Sequence, residues 1–200
     1  MKVTAIKAQV KNVERVSIYL DGAYAFSLTQ GQLLELKLHN GKELSEKDVI
    51  ELKQASDYGK LLERVMNFVM IRPRSIREVR DYLWRKKAEP HTIDTIVQRL
   101  ETRGYLNDAS FAKSWAHARQ LTKPVSKRRL QAELMQKGVA SEHIAQALAD
   151  DEYNERQALQ EIILKKRRQV RYQDNQKLMH YLARQGFGYD SIKEALASSE

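Results

Sequence analysis

The stretch KGVASEHIAQAL, residues 137–148, returns later in the chain as QGFGYDSIKEAL, residues 185–196. Glycine, isoleucine, alanine and leucine fall at the same places in both copies. A leucine also precedes an isoleucine by ten residues three times, at Leu83 and Ile93, Leu134 and Ile144, and Leu182 and Ile192. The chain therefore repeats at spacings of 51 and then 48 residues. A period near fifty is typical of helical units that stack on one another.

Each unit is predicted to contain three helices. The first helices are predicted at 61–71, at 110–121 and at about 152–168. The second helices carry two apolar residues four positions apart, which are Val79 and Leu83, Leu130 and Leu134, and Leu178 and Leu182. Gly138 and Gly186 fit the position just beyond a second helix, where the backbone turns left-handed. Asp108 is predicted to cap the first helix of the second unit.

The first thirty residues predict β-structure instead. Val16, Ile18 and Leu20 alternate with polar or half-polar neighbours, which is the period-two pattern of a half-buried strand. Asp21-Gly22 then supplies a tight hairpin turn, and residues 23–28 form the return strand. Because a lone hairpin is marginally stable, a third strand over about 3–10 is expected to pair with it. Ser45 and Asp48 predict the start of a following helix.

The predicted fold is therefore mainly α-helical. Tandem three-helix, helix-turn-helix-like repeats form an elongated curved array, preceded by a small N-terminal β-hairpin or three-strand segment. The predicted divisions are 1–57 for the N-terminal β-hairpin segment and its linking helix, and 58–108, 109–150 and 151–200 for the three repeats.

The charge distribution points to a polyanionic partner. The 35 Lys and Arg residues against 26 Asp and Glu residues leave a net charge of +9. Residues 1–58 are neutral overall, with eight basic and eight acidic residues, so the whole excess lies in the helical part. This balance favours nucleic acid over a membrane surface.

The segment RPRSIREVRDYLWRKK, residues 72–87, contains seven basic residues and two acidic ones. Ser75 is a plausible N-cap with Glu78 three residues later. Cations near the C-terminus of a helix are favoured by its dipole, but those near the N-terminus are not. A ligand is therefore expected to use the basic residues of the first turn.

Two further clusters follow, KPVSKRRL at 123–130 and KKRRQVR at 165–171. Ser126 aligns with Ser75 and is predicted to be an N-cap. The predicted basic binding patch, for DNA or another polyanion, consists of Arg72, Arg74, Arg77, Arg80, Arg85, Lys86, Lys87, Lys123, Lys127, Arg128, Arg129, Lys165, Lys166, Arg167, Arg168 and Arg171. A basic stripe of this kind would follow a phosphate backbone or an acidic groove.

The sequence contains few residues or motifs that would indicate an enzyme. Cysteine is absent, so thiolate chemistry and Cys-ligated zinc are excluded. The five histidines are scattered, and no phosphate-binding loop or nucleophile motif occurs. The acidic run at 150–152 is explained by the start of a helix. We expect a non-enzyme without cofactor or metal, soluble and cytoplasmic, with no secretory signal and no membrane span.

The motifs RPRSIREVRDYL, RGYLNDASFAKSWAHARQ at 103–120 and RLQAELMQKGV at 129–139 resemble the RecX family of regulatory proteins. The N-terminal segment VKNVERVSIYLDGAYAFSL is similar to an extra segment of many members, so the resemblance covers nearly the whole chain. Two departures stand out. Lys87-Ala88 lacks the Gly-apolar step of the other repeats, and Asn107 replaces one acid of a usual pair.

The resemblance implies a non-enzymatic modulator of the RecA recombinase in recombination, DNA repair and the SOS response. Such a protein would bind in the groove of the RecA–DNA filament and restrain ATPase, strand exchange and coprotease activity. Implied partners are the RecA filament and single- and double-stranded DNA with weak sequence preference, and a monomer is expected. The residues alone leave two alternatives open, a helix-turn-helix DNA-binding or transcription regulator and a helical adaptor that binds only protein.

Overall fold

The computed structural model describes residues 1–10, 12–149 and 153–197, and within them the chain forms three strands and ten α-helices. The chain divides into two compact units. The first contains Met1–Ile71 and Leu83–Ile96, and the second contains Arg72–Tyr82 and the described residues from Val97 onward. The predicted mainly helical fold with a small N-terminal sheet is confirmed.

The sheet is a three-stranded antiparallel meander. Strands β1 (Val3–Ala8), β2 (Arg15–Leu20) and β3 (Ala23–Thr29) lie in the order β1-β2-β3. At the β2–β3 turn Asp21 and Gly22 have φ angles of 48° and 88°, as a tight hairpin turn of this kind requires. The apolar residues of β2 point into a core that also contains Phe26 and Leu28. The predicted hairpin and its third strand are thus present.

Two helices follow the sheet, α1 (Gln30–Glu35) and α2 (Glu46–Ile71). Thr29 and Gln32 cap α1 reciprocally, and their three-residue spacing is a capping signal that was missed in the sequence. Ser45 caps α2 as predicted: its Oγ accepts the Asp48 N–H at 3.1 Å, and the Asp48 carboxylate accepts the Ser45 N–H at 2.8 Å.

The expected break between a linking helix and the first repeat helix near residue 58 is wrong, because α2 is continuous for 26 residues. No proline interrupts it, and an isolated glycine is tolerated inside a helix at a cost of about 1 kcal/mol. Gly59 has a packing role instead. A Cβ there would lie 2.8 Å from the Gln32 side chain, whose amide donates to the Ala55 carbonyl at 2.7 Å.

Eight more helices follow within the described residues. They are α3 (Ile76–Arg85), α4 (Pro90–Thr102), α5 (Asp108–Thr122), α6 (Lys127–Gln136), α7 (Ser141–Ala147), α8 (Glu155–Arg167), α9 (Asn175–Arg184) and α10 (Tyr189–Ala197). A short 3-10 turn, Val170–Tyr172, joins α8 to α9. We call α3, α6 and α9 the second helices, since each lies in the middle of its repeat.

The repeated apolar positions are core positions. Leu130, Leu134 and Ile144 belong to one buried cluster, and Leu178, Leu182 and Ile192 belong to another. Their counterparts Val79, Leu83 and Ile93 are each buried too. The ten-residue spacing therefore marks buried positions in all three repeats. The acidic run at 150–152, expected to open the third repeat, lies outside the described residues, and α8 begins at Glu155.

Candidate basic interface of the helical repeats

The second helices are joined end to end through their caps. Ser75 Oγ accepts the Glu78 N–H at 3.1 Å and donates to the carbonyl of Lys137, the C-cap of α6, at 2.7 Å. Ser126 repeats the arrangement. Its Oγ accepts the Arg129 N–H at 3.1 Å and donates to the Gln185 carbonyl at the end of α9, at 2.7 Å. Both predicted N-caps are confirmed, and each one also holds the next repeat.

Two features of these junctions require glycine, the backbone conformation and the space available for a Cβ. Gly138 and Gly186 have φ angles of 78° and 92°, in the left-handed region that side chains disfavour. A Cβ at Gly138 would lie 2.7 Å from Arg77 Cδ, and a Cβ at Gly186 would lie 2.6 Å from Ser126 Oγ. The predicted helix ends are confirmed, and the missing side chains also make room for the N-terminus of the preceding second helix.

Carboxylates from the following repeat neutralise the N-termini of α3 and α6. Asp108 Oδ1 accepts the Ile76 N–H at 2.9 Å, and Glu155 Oε1 accepts the Lys127 N–H at 2.7 Å. The prediction that Asp108 caps α5 is therefore wrong. Asn107 caps α5, accepting the Ser110 N–H at 2.9 Å. Because these acids face the positive helix ends, the cations of the first turns are less exposed to the helix dipole than the sequence alone suggested.

Glu78 gathers two cations at the first junction. Arg72 donates to its carboxylate through both terminal nitrogens, at 2.9 and 3.3 Å, and Lys137 Nζ lies 2.9 Å away. Burial by itself would raise the pKa of Glu78. The hydrogen bonds from Arg72, Lys137 and the Ser75 N–H outweigh that cost and lower the pKa to about 2. Arg72 is therefore engaged within the fold.

The other basic residues of the first-repeat cluster differ in their surroundings. Arg77 is exposed, with its Nε 4.0 Å from Asp81 and 58% of its side chain accessible. Arg80 is exposed, while Arg74 is half-buried, and burial followed by the charge of Arg72 lowers the pKa of Arg74.

Arg85, Lys86 and Lys87 are exposed at the end of α3. Lys87 takes the place of the glycine in the other repeats, yet it has a left-handed φ of 60°. The Ala88 N–H still bonds to the Leu83 carbonyl, at 3.2 Å, as the Val139 N–H does to Leu134. This departure from the family pattern therefore leaves the helix end unchanged in form.

The basic residues of the second cluster, 123–130, also differ in exposure and in their partners. Lys123 is the exposed C-cap of α5, and Arg128 is exposed on α6. Lys127 is half-buried beside Glu155. The Arg129 guanidinium bonds to the Gln185 side chain and lies 3.8 Å from Glu133. Arg129 thus fastens α6 to α9, while Arg128 points outward.

Much of the third cluster stabilises the connection from α8 to α9. Arg167 donates to the Gln173 carbonyl at 2.6 Å and to the Asn175 side chain. Lys166 Nζ lies 4.6 Å from the centre of the Tyr181 ring, and the Arg171 guanidinium lies 5.8 Å from the Tyr172 ring. The other two cations of this run, Lys165 and Arg168, are exposed at the end of α8.

Large apolar residues are exposed on α3 and α6, and the sequence predicted only one of them. The sequence placed Trp84 on the helix face of Arg77 and Arg80, and the structure leaves Trp84 exposed. Exposed Met135 was missed. It follows Trp84 by 51 residues, the repeat spacing, so the self-comparison that found the repeats could have found it.

The length and hydropathy of the helices show whether any of them could span a membrane. Among residues 1–10, 12–149 and 153–197, no helix is both long enough and apolar enough to cross a bilayer.

Comparison with known proteins places this architecture in one family. The regulatory protein RecX N-terminal domain matches residues 1–45, the first RecX three-helix domain matches 62–100, and the second matches 107–148. The regulatory protein RecX of Bacillus velezensis is 35% identical over 203 residues, covering 99% of this chain and 77% of that protein. Its Bacillus subtilis counterpart is 33% identical with the same coverage of both chains.

Solved structures agree at the level of the fold. A crystal structure of regulatory protein RecX superposes with a TM-score of 0.75 at 24% identity, covering 98% of both chains. RecX from Lactobacillus salivarius superposes with a TM-score of 0.61 at 20% identity, covering 72% of this chain and 97% of that one. With three matching domains and relatives of more than 30% identity along almost the whole sequence, the chain belongs to the RecX family of regulatory proteins.

Proposed function

We propose that the protein binds in the groove of the RecA–DNA filament and restrains its ATPase, strand-exchange and coprotease activities without catalysing a reaction itself. The observation that carries this proposal is the end-to-end joining of the second helices, which sets exposed cations at equivalent places in successive repeats. Membership of a regulatory family supports the same role.

The proposed mechanism uses the two kinds of cation differently. Buried or paired cations, such as Arg72 and Arg167, hold neighbouring elements together. Exposed ones, such as Arg128 and Lys123, contact filament phosphates or acidic protein surfaces. Binding more than one RecA subunit at once would restrain the spacing between subunits. In this mechanism the restrained spacing slows both ATP hydrolysis and filament growth.

The test is ATP hydrolysis by a preformed RecA filament on single-stranded DNA, titrated with this protein. We expect inhibition well below one protein per RecA subunit, because one bound molecule would restrain several subunits. An excess of DNA as control separates this effect from competition for DNA sites. Absence of inhibition at equimolar protein, together with tight and sequence-selective duplex binding, would favour the helix-turn-helix alternative.

A further inference from the structure

The outward faces of α3 and α6 carry the same pair of residues. Each helix has an arginine at its second position, Arg77 or Arg128, and a large apolar residue seven positions later, Trp84 or Met135. Seven residues are almost two full turns, so each pair lies on one face of its own helix. Trp84 is 66% exposed and Met135 is 55% exposed.

A solvated helix face does not need these apolar side chains. The face toward the core is already formed by Leu130 and Leu134 in α6, and Val79 and Leu83 are buried in α3. Tryptophan, methionine and arginine are among the residues enriched at protein interfaces, and tryptophan and arginine are among those that contribute most binding energy. A phosphate backbone offers nothing for a methionine side chain to bury against.

The second helix of the third repeat, α9, lacks this arginine–apolar pair. Counting from its N-cap Asp174, α9 has Gln176 and Ala183 at the equivalent positions. The arginine–apolar combination is therefore a feature of two repeats and not a by-product of the helical framework that all three share.

We infer that these outward faces of α3 and α6 dock on protein subunits of the filament and not on its DNA. This inference rests on the proposed function and assigns the chemistry at its binding surface. Each arginine pairs with a carboxylate of the partner, and each apolar side chain enters an apolar pocket beside it. Phosphate contacts are left to other exposed cations, such as Lys165 and Arg168.

The junction geometry sets the spacing of the two arginines. Arg77 lies against Gly138, just beyond the end of α6, and Arg128 lies in the first turn of α6. The ten residues from Arg128 to Gly138 rise about 15 Å along a helix. Two matching carboxylates on the partner are therefore expected about 15 Å apart.

The experiment compares binding to two targets, a RecA filament held on single-stranded DNA by a non-hydrolysable ATP analogue and the same DNA alone at low salt. Trp84→Ala and Met135→Ala are each expected to raise Kd for the filament about tenfold and to leave Kd for naked DNA unchanged. Leu121→Ala and Leu164→Ala are matched controls, since these leucines are 71% and 65% exposed on first helices. Both controls are expected to bind like the wild type.

Each alternative result is informative. If Trp84→Ala weakens binding to naked DNA as much as to the filament, the tryptophan stacks on bases and the inference is overturned. If Trp84→Ala and Met135→Ala bind the filament as well as the controls do, the inference fails while the proposed function stands. If the wild-type protein does not bind the filament, the proposed function itself fails. Trp84→Phe keeps an apolar aromatic group and is expected to restore most of the filament affinity.

Discussion

Replacing Gly138 with alanine tests the junction between α3 and α6 directly. An L-residue in the left-handed conformation costs about 1–2 kcal/mol. The new Cβ would also lie 2.7 and 2.8 Å from Cδ and Cβ of Arg77, and Cβ is fixed to the α3 backbone and cannot swing away. The start of α3 must therefore move, which weakens the Ser75–Lys137 hydrogen bond at a cost of about 1 kcal/mol. The expected total is about 2–3 kcal/mol.

Gly104→Ala is the matched control. Gly104 also follows a helix, has a φ of 75°, and has no atom within 4 Å of a Cβ built on it. Its replacement carries the backbone cost alone, about 1–2 kcal/mol. Urea unfolding followed by far-UV circular dichroism measures both variants. The close approach of α3 to Gly138 would be refuted if Gly138→Ala lost no more stability than Gly104→Ala.

Three further predictions concern single residues or pairs. Lys87→Gly should stabilise the protein by about 1 kcal/mol in urea unfolding, because Lys87 is exposed and has a φ of 60° that glycine adopts freely. Glu78 has a pKa of about 2 against an ordinary 4.5, so its stabilisation is complete above pH 4.5 and lost as pH falls toward 2. Glu78→Gln should remove about 2 kcal/mol at pH 7 and flatten that acid dependence, whereas an unchanged pH profile of unfolding would contradict the assigned ion pairs. Replacing both Lys165 and Arg168 with glutamine should lower the slope of log affinity for single-stranded DNA against log salt by about 1.4, and an unchanged slope would exclude them from phosphate contact.

Much of the fold was predictable because its signals are local. The Asp21-Gly22 turn and the Ser75 and Ser126 caps depend on atoms within a few residues of each other, and their chemistry is legible in the sequence. The repeat added register, since buried positions recur at a constant spacing. The continuous α2 was not predicted, because helical patterning on either side of residue 58 does not show whether the two stretches form one helix.

The roles of the cations were not predictable in the same way. All the basic residues of a cluster look alike in sequence, yet Arg72 is paired with Glu78 and Arg167 holds the start of α9, while Arg77 and Arg128 are largely exposed. Charge counting located the basic clusters in the sequence, but it could not separate the cations that hold the repeats together from those that stay exposed.

The sequence by itself determined the repeat, the caps at Ser45, Ser75 and Ser126, the N-terminal meander and the basic character of the helical part, because each follows from local chemistry or from periodicity. Only the tertiary structure decided that Asp108 serves α3 and not its own helix, and that Ser75 reaches the end of α6, 62 residues away. Such contacts depend on how one repeat packs on the next. The Asp108 carboxylate bonds to the helix N-terminus that this packing brings within reach, and the Ser75 hydroxyl donates to a carbonyl that only this packing supplies.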